Sequence, residues 1–319
     1  MTSPRVTVCM PVYQNAKFLP EAIESILQQT FTDFELLIDD DCSTDASQEV
    51  ISHYASLDDR IVACFNNTNK GMVTNWNACL EKARGEYVKF LFGDDILASK
   101  EALSRMVAIL DSERSASLVA CARNIIDVDS NIIKVASSFP DGVIKKGTEI
   151  IYNCLLTQKN LIGEPSVVMF RKKDAFRFFD ARYSQLVDLE MWFHLLEQGE
   201  FSFIGDPLAS FRVHADQQTK ENVRNLVHVD EMLDLLDEYG AKPYVTLGRM
   251  PRKFLLYNQQ YRIWKAYKNK MISRGTALAK ISHHCPPWKF LALVPVYKIL
   301  SPIWKILKTV CLKKLHLKL

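Results

Sequence analysis

Hydrophobic residues in the first 120 or so positions follow two alternating spacings, which predict strands and helices in turn. Short apolar runs rich in β-branched residues are typical of buried strands, and they occupy residues 5–12, 34–39, 60–65, 87–92 and 117–122. Apolar residues at every third or fourth position predict helices at residues 19–28, 43–54, 72–83 and 100–110. Strands that alternate with helices indicate an α/β fold with a mainly parallel sheet covered on both faces.

The pattern becomes less regular after about residue 124. Residues 125–136 predict a hairpin that turns at Asp129-Ser130-Asn131, and further strands are predicted at residues 165–170, 201–205 and 208–214. A helix is predicted at residues 188–198, and the chain is mostly helical after residue 214. We therefore predict two domains, an α/β domain at residues 1–220 and a helical region at residues 221–319.

Two acidic clusters follow predicted strands, at the sheet edge where α/β proteins bind ligands. Asp39-Asp40-Asp41 follows the second strand, and carboxylates there would accept hydrogen bonds from a base or a ribose. A turn with Ser43 and Asp45 as helix caps explains the same cluster without a ligand. Asp94-Asp95 follows the fourth strand, where one or two carboxylates suffice to hold a divalent cation bound to a diphosphate. A capped turn is the structural alternative here as well.

Asp188 and His214 are the remaining candidates for chemistry. Asp188 begins a predicted helix, where the helix dipole stabilises a carboxylate, so it is either a cap or a general base that removes a hydroxyl proton. His214 ends the segment Arg212-Val213-His214 at a strand end, and a histidine in that position is a surface residue, a core residue or a metal ligand.

The order and spacing of these segments resemble a family 2 glycosyltransferase of the GT-A fold over roughly residues 4–214. The resemblance rests on PVYQN after the first strand and then on SILQQTFTDFELLIDDDCSTD, GEYVKFLFGDD, DLEMWFHLLEQG and LASFRVH. It implies a Rossmann-like, nucleotide-binding mixed sheet flanked by helices, and the chain adds a helical C-terminal extension.

The resemblance also implies which residues bind the nucleotide. Pro11, Tyr13 and Asn15 match the family segment that lies against the base. Asp41, with Asp40 beside it, matches the acidic residue that hydrogen-bonds a pyrimidine.

By the same resemblance, Asp94 matches the usual ligand of the divalent metal, Mn²⁺ or Mg²⁺. His214 matches a histidine near the diphosphate and the metal, and Asp188 matches the general base. A metal on Asp94 would neutralise charge that develops on the leaving diphosphate. A single displacement assisted by one base implies inversion at the anomeric carbon.

Three positions depart from the family pattern. Cys42 stands where many members have glycine, which bears on the loop but replaces no ligand. Phe92 occupies the first position of the Asp-x-Asp motif, and the loss of a carboxylate there affects either the contact with the ribose or the affinity for metal. Val187 replaces the glutamate that precedes the base.

Charge is divided unevenly along the chain. Residues 241–319 contain 17 Lys and Arg and no Asp or Glu, so all 37 acidic residues and 23 of the 40 basic ones lie earlier. An acidic body with a cationic tail indicates a polyanion or a charged membrane surface as partner. No nucleic-acid recognition module accompanies the tail, so we predict an anionic membrane surface and no nucleic acid.

The last residues of the tail have the pattern of an amphipathic helix. Ser301-Pro302 predicts a helix start, with Lys298, Lys305 and Lys308 on one side. The opposite side would carry Ile303, Ile306, Leu307 and Val310, with Trp288 and Trp304 as interfacial anchors. The apolar runs are too short and too interrupted for a bilayer span, so we predict a segment that lies on anionic lipid. The alternative is a helical appendage packed on the catalytic domain.

Composition adds the expected compartment. The eight cysteines form no C-x-x-C pair, so a zinc or redox site is not indicated, and several lie in apolar runs as free thiols do. The first residues lack the features of a signal peptide, and we expect a cytoplasmic protein at the inner face of the cell membrane.

These inferences predict an inverting glycosyltransferase that transfers a sugar from a nucleotide diphosphate donor to a glycan or a lipid-linked acceptor. UDP-sugars are the first candidates for the donor and dTDP-sugars the second, and the product would be a cell-surface polysaccharide or lipopolysaccharide. The alternative is a catalytically inactive nucleotide-sugar-binding protein or a membrane-surface scaffold.

Overall fold

The computed structural model of the protein describes residues 3–214, 226–246, 248–282 and 285–314, and it describes their side chains except at residues 249 and 303–314. The chain divides into two compact units. One comprises Met1–Ile150 and Ile162–His214, and the other comprises Ile151–Leu161 and Ala215–Leu317. The predicted domain boundary at residue 220 falls within residues 215–225, outside the described residues.

A single ten-stranded sheet runs through the first unit in the order β3-β2-β1-β4-β9-β6-β10-β5, with β7 beside β6 and β8 beside β10. Its strands are β1 (Val6–Val12), β2 (Phe34–Asp40), β3 (Ile61–Phe65), β4 (Tyr87–Phe90), β5 (Ile96–Leu97), β6 (Ala116–Ile126), β7 (Ile132–Ala136), β8 (Val143–Lys146), β9 (Val168–Arg171) and β10 (Glu200–Arg212). The helices up to residue 214 are α1 (Leu19–Leu27), α2 (Ser47–Ala55), α3 (Met72–Lys82), α4 (Ala102–Ser112), α5 (Gly147–Thr157) and α6 (Val187–Leu196).

The half of the sheet formed by β3, β2, β1 and β4 is parallel throughout. Every residue of β1 and β2 is buried, as expected for strands covered by helices on both faces. Val12 pairs with Asp40 in register, so β1 and β2 end side by side and deliver their following loops to one edge of the sheet.

The other half has strands of both directions. β9 lies antiparallel between β4 and β6, whereas β6 and β10 are parallel. β5 and β8 both pair antiparallel with β10. The mixed sheet agrees with the fold that the family resemblance implies. The five strands predicted in the first 120 or so residues, β1–β4 and β6, all run in one direction, as the sequence pattern predicts.

Several boundaries also differ from the sequence pattern. The strands predicted at residues 201–205 and 208–214 form one strand, β10, whose register shifts near Pro207 mark the interruption seen in the sequence. β5, β8 and α5 were not predicted. β5 has only two residues, which is too short for an alternation to register.

The second unit is helical in its described residues. It contains α7 (Val227–Glu238), α8 (Arg249–Lys268), α9 (Arg274–Ser282) and α10 (Pro287–Lys314). Val229, Ile263, Ala277 and Phe290 are fully buried and form part of its core. The Tyr257 hydroxyl donates to the Phe290 carbonyl at 2.8 Å, which fixes α10 against α8.

The predicted helix start at Ser301-Pro302 is wrong. α10 begins at Pro287 and contains both Pro295 and Pro302. Pro287 occupies the N-terminal position that proline favours, whereas Phe290 and Tyr297 pack inward and hold the next turns in place. The side chains predicted to follow Pro302, from Ile303 to Val310, lie outside the described residues.

Candidate active site

Two loops meet where β1 and β2 end. The backbone N–H of Gln14 donates to Ser43 Oγ at 2.9 Å, and that of Ala16 donates to Asp45 Oδ2 at 3.0 Å. α2 begins later, at Ser47, and no side-chain hydrogen bond caps it from Ala46. The prediction that Ser43 caps this helix is wrong, because its oxygen joins the two loops. Asp45 does engage the start of the helix, because its Oδ1 accepts from the N–H of Ser47 at 3.0 Å while its Oδ2 joins the loops.

Asp41 is almost completely buried, and its carboxylate holds a third loop in place. It accepts hydrogen bonds from the backbone N–H groups of Lys70 at 2.8 Å and Gly71 at 2.9 Å, and from the Asn66 amide at 3.3 Å. Asp40 is fully buried and accepts from the Ser43 N–H at 3.0 Å. The sequence pattern gives no indication that residues 66–71 contact Asp41.

Cys42 adopts a φ of 62°, in the left-handed region that side-chain-bearing residues disfavour. This backbone conformation explains why glycine suits the position in the family that the sequence resembles. A cysteine instead of a glycine at position 42 therefore strains the backbone of the loop between Asp41 and Ser43.

The segment predicted to lie against a base follows β1. Pro11 is buried within β1, while Tyr13 is 51% exposed. The side-chain oxygen of Asn15 accepts from the Tyr13 N–H at 3.3 Å. A Cβ placed on Gly93 would lie 3.2 Å from Asn15 Cβ, so this segment packs directly against the loop that bears Asp94.

The structure brings Asp94 and His214 together. His214 Nε2 lies 3.0 Å from Asp94 Oδ2, and both side chains are mostly shielded, at 11% and 18% exposure. The pairing follows from the sheet, because Ser210 of β10 pairs with Ile96 of β5, immediately after the Asp94-Asp95 turn. The two residues therefore meet where β10 ends.

Asp95 plays a different part from its neighbour. It is fully buried, and its carboxylate accepts from the backbone N–H of Arg212 at 2.9 Å. Burial, together with the adjacent charge of Asp94, raises the pKa of Asp95 well above its usual range. Asp95 therefore links the turn to β10 from inside the protein.

Phe92, at the departure from the Asp-x-Asp motif, packs against an aromatic cluster. Its ring lies 4.9 Å from that of Trp76, which also contacts Phe90 and Phe179. The Phe92 N–H donates to Ser166 Oγ at 3.3 Å. An apolar side chain here thus anchors the start of the loop by packing, where a carboxylate would offer oxygen ligands.

Lys89 lies under the same loop and is fully buried. It donates to the carbonyl of Phe90 at 2.9 Å and to that of Ser166. Burial lowers the pKa of Lys89 to about 8.

Asp188 and Glu190 occupy the first turn of α6 and have different environments. Asp188 is partly exposed, and its Oδ1 accepts from the Leu189 N–H at 2.7 Å. The Glu190 side chain is 1% exposed, and its two oxygens accept from Arg177 at 2.7 and 2.6 Å. Glu190 is thus committed to a buried ion pair, which sequence reasoning did not foresee.

The residues predicted to bind metal fit a divalent cation in chemistry. Asp94 offers a carboxylate and His214 an imidazole, both ligands that Mn²⁺ accepts. His214 Nδ1 is buried and has no hydrogen-bond partner among the described residues. No group of three or more His, Cys, Asp and Glu side chains that could hold a metal converges in the described part of the chain. The protein would thus offer two ligands, and the phosphate oxygens of a donor would have to add others.

Residues 7–177 match the model of the family described as glycosyl transferase family 2. Because this match covers more than half of the chain, the protein belongs to glycosyl transferase family 2.

Similarity to individual proteins agrees with this assignment. TuaG of Bacillus subtilis (strain 168), whose name assigns it to teichuronic acid biosynthesis, is 27% identical over 211 residues, covering 66% of this chain and 79% of TuaG. The structure of S. aureus TarS 1–349 in complex with UDP-GlcNAc is similar with a TM-score of 0.63 and 19% identity, over 87% of this chain and 80% of that one. The mannosyltransferase PcManGT of Pyrobaculum calidifontis, solved with GDP-Man and Mn²⁺, is similar with a TM-score of 0.55 and 17% identity, over 97% and 84% of the two chains. The structural similarities establish the GT-A fold.

Proposed function

We propose that the protein transfers a sugar, with inversion, from a nucleoside diphosphate donor to a glycan or a lipid-linked acceptor. UDP-sugars are the first candidates for the donor and dTDP-sugars the second. The observation that carries the proposal is the position of the Asp94–His214 pair beside the loop that contains Asn15. A role in making cell-surface polysaccharide or lipopolysaccharide is supported by the name of TuaG, and the donor class by the UDP-GlcNAc bound to TarS.

The base of the nucleotide would lie over Pro11, Tyr13 and Asn15. Asp41, with Asp40 beside it, would recognise a pyrimidine. An ionised carboxylate has about four lone-pair sites, so Asp41 retains acceptor capacity beyond the bonds from Asn66, Lys70 and Gly71. The exposed ring of Tyr13 offers a surface for stacking.

Asp94 and His214 would hold Mn²⁺ or Mg²⁺. The ion would supply electrostatic stabilisation of the charge that develops on the departing diphosphate. The Mn²⁺ in the PcManGT complex supports a divalent metal in this family's fold.

Asp188 would remove the proton from the acceptor hydroxyl. Glu190 is the neighbouring alternative, but its oxygens are buried and held by Arg177, whereas Asp188 is partly exposed. A base must come within hydrogen-bonding distance of the hydroxyl, which favours Asp188. One base that assists one displacement gives inversion, so an α-linked donor would yield a β-linked product.

The second unit would bring the enzyme to the cytoplasmic face of an anionic membrane. In α10, Phe290 and Tyr297 are buried, whereas Trp288, Val296 and Ile299 are 73%, 49% and 71% exposed. Lys289 and Lys298 are exposed on the same helix, so apolar and basic side chains are presented together, as in interfacial helices. Among the described residues, no helix combines the length and apolar character needed to cross a membrane.

A screen of nucleotide binding tests the proposal directly. Thermal stability would be measured with UDP, dTDP and GDP, each with Mn²⁺ and with a chelator, because a ligand that binds the native state raises the melting temperature. We expect UDP or dTDP with Mn²⁺ to stabilise most, and hydrolysis of the matching sugar donor to require Mn²⁺. Binding without any hydrolysis or transfer would instead favour the inactive nucleotide-sugar-binding alternative, for which Phe92 is the motivating observation. The absence of binding by any of the three nucleotides would contradict both.

A further inference from the structure

Arg212 is a fully buried cation at the end of β10. Its Nε donates to the carbonyl of Asp94 at 2.7 Å, and its backbone N–H donates to Asp95 Oδ1 at 2.9 Å. Arg212 therefore holds both the backbone of the Asp94-Asp95 turn and the buried carboxylate of Asp95. Because His214 follows two residues later, the same residue also sets where the strand delivers the imidazole.

The rest of the guanidinium is bound to two elements outside the candidate site. Nη1 donates to the Asp127 carbonyl at 3.0 Å and to Ser130 Oγ at 2.9 Å, in the turn between β6 and β7. Nη2 donates to Glu21 Oε2 on α1 at 2.6 Å. Ser130 Oγ also donates to Glu21 Oε1 at 2.7 Å, so Glu21, Ser130 and Arg212 form a closed triangle.

Phe18 completes the connection on the side of the imidazole. The guanidinium carbon of Arg212 lies 4.7 Å from the centre of the Phe18 ring, and the His214 ring lies 5.2 Å from the same ring. Phe18 immediately precedes α1, the helix that carries Glu21. Both members of the Asp94–His214 pair are therefore held through Arg212, and Arg212 is held through α1.

We propose that Arg212 is a positioning residue for the Asp94–His214 pair and that Glu21 is a counterion on which this positioning depends. The inference rests on the proposed function in its metal-binding part. A guanidinium has five donors in a rigid planar fork, which a lysine cannot reproduce, so the arrangement requires arginine. Glu21 touches neither Asp94 nor His214 in the described contacts, yet its charge should affect the metal affinity of the site.

Three variants test this relationship. Glu21→Gln removes the negative charge and keeps a similar shape, and Arg212→Lys keeps a positive charge but loses the fork. Glu24→Gln is the matched control, because Glu24 is an exposed carboxylate on the same helix that accepts from the Tyr54 hydroxyl at 2.6 Å.

Two quantities would be measured on each full-length variant. The first is the affinity for UDP with Mn²⁺ and with a chelator, by calorimetry. The second is the position of the His214 imidazole resonances in the ligand-free protein, with isotope-labelled histidine and His214→Gln for assignment. Loss of groups that orient metal ligands typically lowers metal affinity about 10- to 100-fold. We expect the gain in UDP affinity that Mn²⁺ provides to fall about tenfold in Glu21→Gln and further in Arg212→Lys. The His214 resonances should be shifted in both variants.

The control should match the wild type in both quantities, and affinity in the chelator should be the same in all proteins. Wild-type Mn²⁺ dependence and unshifted His214 resonances in Glu21→Gln would refute the proposal, even if the variant were less stable. If Arg212→Lys does not fold, Glu21→Gln still tests the proposal, because Glu21 is exposed. If Mn²⁺ adds nothing to UDP binding by the wild type, the metal role fails. In that case only the positioning of His214 is still under test. Shifted His214 resonances in Glu21→Gln would support it, and unshifted resonances would refute it.

Discussion

His214 and Asp94 are 120 residues apart in the chain, yet His214 Nε2 lies 3.0 Å from Asp94 Oδ2. The strand pairing of β10 with β5 creates this proximity, because β5 follows Asp94 and β10 precedes His214. Two shielded side chains of complementary ligand type thus face each other at the sheet edge where nucleotides bind in α/β proteins. Neither residue alone distinguishes a metal site from a capped turn.

The first prediction concerns this pair. Asp94→Ala should abolish the gain in nucleotide diphosphate affinity that Mn²⁺ provides, and His214→Ala should reduce it. Because both residues would act on one ion, the double variant should lose no more than Asp94→Ala alone. Calorimetric titration with and without a chelator measures the gain. An Asp94→Ala protein that binds with unchanged affinity and metal dependence would show that the metal assignment is wrong.

The second prediction concerns the base. Asp188→Asn keeps the shape of the side chain, so donor binding should persist while transfer falls by roughly 10²-fold or more. Glu190→Gln should act differently, because it removes one carboxylate partner of Arg177. It should cost about 1 kcal/mol of stability, since Arg177 is 33% exposed and also pairs with Asp180. Transfer assays and urea unfolding separate the two effects. Near-normal transfer by a folded Asp188→Asn protein would exclude Asp188 as the base.

The third prediction concerns backbone strain. Cys42 has a φ of 62°, which costs a side-chain-bearing residue about 1–2 kcal/mol, whereas glycine loses about 0.5–1 kcal/mol in added chain entropy. Cys42→Gly should therefore stabilise the protein by up to about 1 kcal/mol. Cys42→Ala is the matched control, because it removes the sulfur and retains the strained Cβ. A glycine variant less stable than the alanine variant would contradict this prediction.

The fourth prediction concerns α10. Removing residues 285–319 would delete Phe290 and Tyr297 from the core, so substitution of the exposed face is the sharper test. Trp288→Ser with Ile299→Ser should weaken binding to anionic vesicles, since burial of their side chains contributes to interfacial affinity. Met271→Ser is the control, because Met271 is 54% exposed but lies outside α10.

Vesicle co-sedimentation at low and high salt measures this effect. Lys289→Gln with Lys298→Gln should lower both the affinity and its salt dependence, since each basic residue near an anionic surface contributes about 1 kcal/mol. Equal sedimentation of all these variants and the wild type would overturn the membrane role of this face.

The sequence determined the features that depend on local pattern. Buried strands such as β1 and β2 are recognisable because apolar residues dominate each run, and the hairpin at Asp129-Ser130-Asn131 is recognisable from its turn residues. The family and its GT-A fold followed from the order of motifs between Pro11 and His214, because motif order is a property of the chain itself. The candidate residues were named for the same reason.

Only the tertiary structure decided which of these residues meet and which are already engaged. The contact of His214 with Asp94 and the bonds from Arg212 to Glu21 and Asp127 join segments that no local periodicity relates. The ion pair of Glu190 with Arg177 distinguishes Glu190 from Asp188, although both open one helix. Hydrogen bonds and ion pairs between distant segments depend on strand order and register, and those are set by packing of the whole sheet rather than by any stretch of sequence.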